Sequence, residues 1–461
     1  SICSCSGAKS KARTALPVSA AEAFAWHERP GALERLTPPW ERFEVSERQG
    51  GIREGDRLVA KVRLGPCSRV WEARHTDYLP GEQFVDEMVR GPMAYWRHVH
   101  RFEARGATSE LVDHITYRLP AGALGRWLGQ GSVEQKLERM FCYRHAVTRG
   151  DLARLQAWPL ARPQRIVITG QGGMLGQALT AFFSLAGHEV VPLRRGAGAG
   201  PRWQPDAGRL DAAVFAGADA VVHLAGENIA SGRWTAAQKA AIEDSRVRGT
   251  ALLAQTLARL TGGPKCLITA SGIGYYGPGE AMVDENSGPG DDFLARVCQG
   301  WEQAAAPAKE AGLRLVHLRF GVVLAAQGGA LRKMLPAFRA GVGGRVGDGK
   351  QMFSWVSLDD AVDAIYFALA QETLSGAVNV VSPAPVSNAE FTATLARVLG
   401  RPAWLPAPAA ALRLVLGREM ADSLLLSGRP VWPRRLEGAG FSWRHPGLEA
   451  ALRHLLGRAQ A

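Results

Sequence analysis

Arg165-Ile-Val-Ile-Thr-Gly-Gln-Gly-Gly-Met-Leu-Gly176 is the stretch whose reading decides the fold. Its first five residues form a short apolar run that predicts a buried strand. Gly170, Gly173 and Gly176 follow at once, then a predicted helix over Gln177–Ala186 and a second strand over His188–Leu193. A glycine-rich turn between strand and helix lets the backbone approach a pyrophosphate and aims the free N–H groups of the helix at it. A tight turn with a purely structural role would use glycine too. The strand–turn–helix–strand context within about 30 residues favours the dinucleotide reading. Gly170, Gly173, Met174, Leu175 and Gly176 are therefore the candidate cofactor-binding residues of this turn.

The second strand ends in Arg194-Arg195, with no acid at its end. A free ribose 2′-hydroxyl usually meets Asp or Glu about 20 residues past the glycines, whereas a 2′-phosphate calls for cations. NADP(H) is accordingly preferred, with NAD(H) as the alternative; the competing account is that the two arginines merely solvate a loop. Further strands are predicted at Ala220–Gly226, Cys266–Ser271 and Leu313–Leu324, separated by helical stretches at Thr235–Leu260 and Asp291–Ala311. Strands alternating with helices imply an α/β fold with a doubly wound parallel sheet. Ligands of such sheets lie beyond the carboxyl ends of the strands, which adds Leu224, Ala225 and Gly226 to the cofactor candidates and brings Ser271–Gly277 and Arg319–Val323 toward them.

Before this half lies a seam, Trp158-Pro-Leu-Ala-Arg-Pro163, read as a linker over 158–164 between a domain at 1–157 and one at 165–461, the latter with a helical segment from about 403. The first domain opens with a strand at Lys11–Pro17. Ser19-Ala-Ala-Glu22 has the form of a capping box and predicts a helix through about Arg35. Period-2 runs follow (Leu58, Ala60, Val62, Leu64; Trp71, Ala73, His75; Leu111, Asp113, Ile115, Tyr117, Leu119), and Ser132–Leu155 reads as one long helix. His98 and His100 share a strand face, but two such histidines are more often hydrogen-bonded surface residues, and no metal is assigned.

The 461 residues, 46% hydrophobic and 21% charged, leave room for two or three globular domains and exclude wholesale disorder. The net charge of +12 is spread rather than gathered: 25 Lys and Arg face 19 Asp and Glu up to Arg162, and 30 face 24 beyond it. Nothing here forms the stripe or tail of a nucleic-acid binder. With no stretch near about 18 apolar residues and with Lys9, Lys11 and Arg13 where a signal peptide would be apolar, the expectation is a cytoplasmic protein without a membrane span. Six scattered cysteines suggest reduced thiols, with Cys3 and Cys5 in a frayed terminus.

The succession of the glycine turn, Leu224-Ala-Gly-Glu-Asn-Ile229, Ala270-Ser-Gly-Ile-Gly-Tyr-Tyr-Gly277, Leu318-Arg-Phe-Gly-Val-Val-Leu324, Phe353-Ser-Trp-Val-Ser-Leu-Asp-Asp360 and Gly440-Phe-Ser-Trp443 resembles the extended short-chain dehydrogenase/reductases. Within them it is similar to the atypical branch of epimerase family proteins, of NAD-dependent epimerase/dehydratase type. The resemblance spans 165–456 and implies a Rossmann NAD(P)-binding domain acting as an oxidoreductase or epimerase. Residues 9–157, through Ala23-Phe-Ala-Trp-His27 and Arg35-Leu-Thr-Pro-Pro-Trp40, resemble the START/Bet v 1-like or polyketide-cyclase-like helix-grip domains, an α+β fold. That resemblance implies a small, hydrophobic ligand; the competing account is that Trp71, Tyr95, Trp96 and Phe102 simply fill the core.

The superfamily's proton donor, a Tyr followed four residues later by Lys, is missing. None of the seven tyrosines has Lys at that spacing, and Phe293-Leu-Ala-Arg-Val297 stands where the pair would fall. Ser271 matches the catalytic-Ser region, and Tyr275 and Tyr276 are the remaining candidate donors, with packing beside the nicotinamide as their alternative role. Glu227, Asn228, Asp284 and Glu285 are further polar groups of this region. Three readings stay open: an NADP(H)-dependent oxidoreductase or epimerase-like enzyme, a protein that binds NADP(H) as a sensor without turnover, and a sugar-nucleotide epimerase in the usual sense, which the missing Tyr and Lys disfavour. Substrate and oligomeric state are not legible.

Overall fold

A computed structural model describes residues 8–64, 67–195 and 202–458, so Cys3 and Cys5 lie outside the described residues. The chain forms two compact units, one made mainly of residues up to Pro159 and one of most of the chain from Leu160.

The first unit contains β1 (Ala8–Leu16), α1 (Ala20–Glu28), α2 (Ala32–Leu36), β2 (Phe43–Gln49), β3 (Arg57–Leu64), β4 (Cys67–Leu79), β5 (Gln83–Arg90), β6 (Tyr95–Arg105), β7 (Thr108–Arg118) and α3 (Gly122–Ala157). The strands form one antiparallel sheet in the order β1-β7-β6-β5-β4-β3-β2. Ser19 caps α1 by accepting the Glu22 N–H at 3.2 Å. The single helix expected through Arg35 is two, because Pro30 lacks the N–H that would continue the ladder and Gly31 turns into the left-handed region at φ 97°. α3 starts ten residues before the expected Ser132. Leu137 and Phe141 of α3 pack on Trp96, Ile115 and Tyr117 of the sheet, and Leu152 on Phe24, Phe84, Phe102 and Leu111. Each such side chain withdrawn from water contributes about 1.5–3 kcal/mol, which is what holds the sheet on the helix. Trp96 and Phe102 are thus core residues of this unit, with Trp71 packed partly buried beside them.

One expectation is overturned here. His98 and His100 are not at the surface. Period-2 alternation turns both to the face that α3 covers, where His98 is 3% exposed and His100 lies beside Asp113.

The second unit runs β8 (Arg165–Thr169), α4 (Met174–Leu185), β9 (Glu189–Arg195), β10 (Arg202–Gln204), β11 (Arg209–Leu210), β12 (Ala220–His223), α5 (Ala236–Ala258), β13 (Cys266–Gly272), α6 (Phe293–Gln303), α7 (Ala306–Glu310), β14 (Arg314–Phe320), β15 (Val322–Leu324), α8 (Gly329–Arg339), β16 (Met352–Phe353), β17 (Trp355–Ser357), α9 (Leu358–Ala370), β18 (Gly376–Val380), β19 (Val386–Ser387) and α10 (Asn388–Leu399), followed by helices at Ala409–Leu416 and Leu448–Leu456. Eight strands form one sheet in the order β11-β10-β9-β8-β12-β13-β14-β18, parallel throughout except at β11. The order reverses between β8 and β12, which makes this a doubly wound Rossmann sheet with its switch point at β8 and β12.

Three local expectations change. The Leu313–Leu324 strand breaks at Gly321, where a Cβ would lie 2.6 Å from the Ser354 carbonyl oxygen. The Asp291–Ala311 helix divides into α6 and α7 because Pro307 is tolerated only in a first turn. β9 extends to Arg195, so both arginines belong to the strand rather than to the loop after it. Among the described residues no helix is long and apolar enough to cross a membrane.

Candidate functional site at the carboxyl ends of the parallel strands

The glycine turn lies at the switch point. Gly170 follows β8 at φ +75°, and a Cβ on it would stand 2.8 Å from both the Ala225 nitrogen and the Leu224 carbonyl carbon. The turn after β8 and the Leu224-Ala225-Gly226 segment after β12 therefore touch backbone to backbone. A Cβ on Gly176 would lie 2.3 Å from the Gly170 oxygen, so α4 approaches the turn too closely for any side chain there. Gly173 differs. Its added Cβ would meet only the Gly170 oxygen, at 3.3 Å. The Gly173 N–H closes the turn on that oxygen at 3.0 Å, and α4 begins directly after it at Met174, three residues earlier than expected. Met174 and Leu175 accordingly occupy the first turn, whose N–H groups have no partner within the helix.

Arg194 and Arg195 close β9, in register with Arg202 and Trp203 of β10. Successive strand residues point to opposite faces. The Arg195 guanidinium lies 5.3 Å from the Trp203 ring centroid, and Trp203 meets His223 edge-on. His223 donates to or accepts from Thr169 at 2.7 Å and Thr250 at 2.9 Å, and burial lowers its pKa to about 3, so this ring is neutral. Thr269 and His317 repeat the pairing at 2.7 Å on the next two strands. A row of Thr and His thus crosses β8, β12, β13 and β14, hydrogen-bonded in the pairs Thr169–His223 and Thr269–His317, with His223 held also by Thr250 of α5.

Farther along the strand ends a second group assembles around Arg319, near the end of β14. Its Nε and one terminal nitrogen donate to the two carboxylate oxygens of Glu302 on α6, both at 2.7 Å. Burial works against the charge on Arg319, and the paired Glu302 outweighs it, so its pKa is raised. The other terminal nitrogen donates to the Tyr276 hydroxyl at 3.0 Å, and that hydroxyl donates to Asn379 Oδ1 at 2.8 Å. Ser271 donates to Glu302 Oε1 at 2.8 Å, and the guanidinium carbon sits 3.4 Å from the Tyr275 ring centroid. Ser271, Tyr275 and Tyr276 are therefore brought together through one Arg–Glu pair. Their surroundings differ sharply. Tyr276 is 1% exposed with its hydroxyl held twice, and burial raises its pKa, whereas Tyr275 is half-buried against the cation.

Glu302 escaped the sequence reading, Arg319 entered it only as the start of a strand-end segment, and Asn379 was given no role. Their signal was not local, since they reach Ser271 and Tyr276 from elements 31 and 103 residues away. Of the other polar groups, Asp284 pairs with Arg434 at 2.9 Å, and buried Glu285 accepts the Asn379 N–H at 2.9 Å. Phe293 and Val297, in the segment where a Tyr and Lys were expected, are buried with Ile242.

Comparisons with known proteins agree with this architecture. Residues 166–381 match the NAD dependent epimerase/dehydratase family, residues 407–455 a domain of unknown function, and residues 16–141 the polyketide cyclase / dehydrase and lipid transport family. The chain is 44% identical over 291 residues to the epimerase family protein Mb2239 of Mycobacterium bovis, covering 62% of this chain and 96% of that one. To the human epimerase family protein SDR39U1 it is 37% identical, covering 63% and 99%. Among solved structures, a nucleoside-diphosphate sugar epimerase of Corynebacterium glutamicum is similar at TM-score 0.78 and 33% identity, over 97% of this chain and 90% of that one. Human SDR39U1 with NADPH is similar at TM-score 0.59 and 37% identity, over 63% and 98%.

Proposed function

The chain belongs to the epimerase family of NAD(P)-binding Rossmann proteins, and on that premise we propose that it is an NADP(H)-dependent oxidoreductase or epimerase-like enzyme acting on a small molecule. The observation that carries the cofactor choice is the position of Arg194 and Arg195 as the last residues of β9, where a 2′-phosphate would lie. The human relative solved with NADPH supports the same choice.

The nucleotide fits the turn on structural grounds. Gly173 carries no side chain although the protein itself would crowd a Cβ there only at one backbone oxygen, 3.3 Å away, while Gly170 and Gly176 are required by closer backbone contacts. A bound nicotinamide would supply or take up hydride. The chain's own part is to hold a substrate oxygen near Ser271 and Tyr275, whose positions are fixed by the Glu302–Arg319 pair and by Tyr276 and Asn379 behind it. We assign Ser271 and Tyr275 to substrate contact and Tyr276 to positioning. For residues 1–157 we propose a separate small-molecule-binding domain, joined by the linker at 158–164 and favouring an apolar ligand, supported by the family match over 16–141.

One charge-assisted contact is worth about 1.5–3 kcal/mol, so NADPH should bind at least about tenfold more tightly than NADH. Changing Arg194→Ala together with Arg195→Ala should remove that preference. Fluorescence titration checks both, and equal dissociation constants in the unmodified protein would sink the cofactor assignment. A second reading, NADP(H) binding without turnover, is favoured by Phe293 and Val297 standing where the Tyr and Lys would be. Following NADPH absorbance against a panel of carbonyl compounds separates the two: oxidation by any of them supports the enzyme.

A further inference from the structure

We propose that Asp86, His98 and His100, inside the helix-grip unit, form a binding site for one divalent transition-metal ion with at least one coordination position open to a ligand. The three residues sit on the concave face of adjacent strands, Asp86 opposite His98 across β5 and β6, and His100 opposite Asp113 across β6 and β7. Their ligand atoms all lie within 4.8 Å of one another.

The argument rests on where the four ring nitrogens point. His98 Nε2 is hydrogen-bonded to an Asp113 oxygen at 2.8 Å, and His100 Nδ1 lies 2.7 Å from the same oxygen. The opposite nitrogens, His98 Nδ1 and His100 Nε2, face one Asp86 oxygen at 3.4 and 3.3 Å. A neutral imidazole has a single N–H. In the tautomer that gives it to Asp113, each ring leaves a lone pair on the nitrogen that faces Asp86, beside the carboxylate's own lone pairs; with the proton on the other nitrogen, His100 Nε2 donates to Asp86 at 3.3 Å instead. Three lone pairs brought together in a partly buried place repel one another, and a metal ion among them relieves this while both rings stay neutral. Two ligand atoms on a tetrahedral ion with bonds of about 2.05 Å are about 3.35 Å apart, the spacing found to Asp86. The set also carries the outer carboxylate usual in metal sites, since Asp113 fixes both rings and takes a further contact at 2.6 Å from His145 Nε2 on α3.

Two more observations point to the same place. His75, opposite Asp86 across β4 and β5, keeps a buried Nδ1 without a hydrogen-bond partner among the described residues. Phe84 stacks on His100 with ring centroids 4.2 Å apart, an apolar wall that holds the imidazole in plane. Two imidazoles and one carboxylate with an open side suit Zn²⁺, Fe²⁺ or Co²⁺ rather than Ca²⁺ or Mg²⁺, which prefer oxygen alone. This inference is independent of the reading of the nucleotide site. It differs from an apolar cavity in what it demands of a ligand, namely an oxygen or nitrogen donor.

The alternative occupant of the gap is a pair of protons, with both rings cationic. Titrating the full-length, chelator-stripped protein with Co²⁺ and then Zn²⁺ distinguishes the two. Binding of a single Co²⁺ with visible d–d absorption, displaced by Zn²⁺, is expected. Asp86→Asn should weaken binding at least about hundredfold and Asp113→Asn about ten- to hundredfold. His454→Gln serves as the control, because Asp359, His445 and His454 form a second such cluster, and it should leave binding unchanged. Near-UV circular dichroism reports whether each variant folds. If Asp86→Asn does not, X-ray absorption at the zinc edge of the unmodified protein decides, with two imidazoles expected. Absence of stoichiometric uptake, a folded Asp86→Asn that binds normally, loss of binding in His454→Gln, or a zinc shell without imidazole would each overturn the proposal.

Discussion

Gly176→Val is expected to abolish cofactor binding and lower stability together, whereas Gly173→Val abolishes binding and leaves the fold in place. Helix propensity alone points the other way, because removing a glycine from a helix interior usually stabilises by up to about 1 kcal/mol. Packing overrides it at Gly176. A Cβ there would lie 2.3 Å from the Gly170 oxygen and 2.8 Å from the Gln171 Cα, and neither backbone atom can rotate away as a side chain would. Either α4 withdraws from β8 or the turn opens, and both move the N–H groups that would hold a pyrophosphate. At Gly173 the protein asks less, since the one close atom is 3.3 Å away and a shift of a few tenths of an ångström relieves it, and the valine instead occupies space through which phosphate oxygens would approach. A loss of at least about a hundredfold in NADPH affinity is expected for both, equivalent to about 2.7 kcal/mol. Thermal melting then separates them, with Gly176→Val lowered and Gly173→Val close to the parent. A Gly173→Val protein that binds NADPH normally would reduce this turn to a structural element.

The same comparison shows what could be read from sequence. The glycine turn was legible because its signal is local: a strand, three glycines and a helix within one stretch, each with its own composition. Gly173 could be assigned to the ligand from sequence, but the part that Gly170 plays for the protein was not legible, because the atoms that exclude a Cβ there belong to Leu224 and Ala225 in the segment after β12. The substrate side was harder still. Ser271 and the paired tyrosines stood out by resemblance, yet the Glu302–Arg319 pair that organises them comes from α6 and β14, and only the order β13-β14 brings those elements together. The histidines of the first unit failed in an instructive way. Alternation placed His98 and His100 on one face, but sequence does not say which face a helix will cover, and that decided between surface and core.

Arg444→Met should cost about 3–5 kcal/mol of stability, the usual consequence of removing one partner from a buried ion pair. Arg444 lies in the segment before the Leu448–Leu456 helix, and it donates to both oxygens of Asp363 on α9, through Nε at 2.7 Å and through a terminal nitrogen at 2.5 Å. Its backbone N–H also donates to Asp360 at 2.5 Å. Asp363 is wholly buried and the arginine side chain is 9% exposed, so water cannot replace the lost cation. Methionine restores much of the volume, which confines the loss to charge. The size of the loss should depend on pH, and its sign follows from Asp360. Burial, reinforced by the like charge of Asp363, raises the Asp360 pKa to about 6 in the folded chain, above about 3.9 in an unfolded one. A carboxylate raised in this way stabilises the fold below the lower value, and that contribution disappears as pH climbs through about 6. Without Arg444 the proton is held still more tightly, because one favourable charge is gone. The deficit of the variant should therefore be smallest near pH 5 and largest near pH 8, as read by urea unfolding of the two proteins at matched pH. A deficit that is the same at both values would show that packing, and not the uncompensated carboxylates, explains what Arg444 contributes.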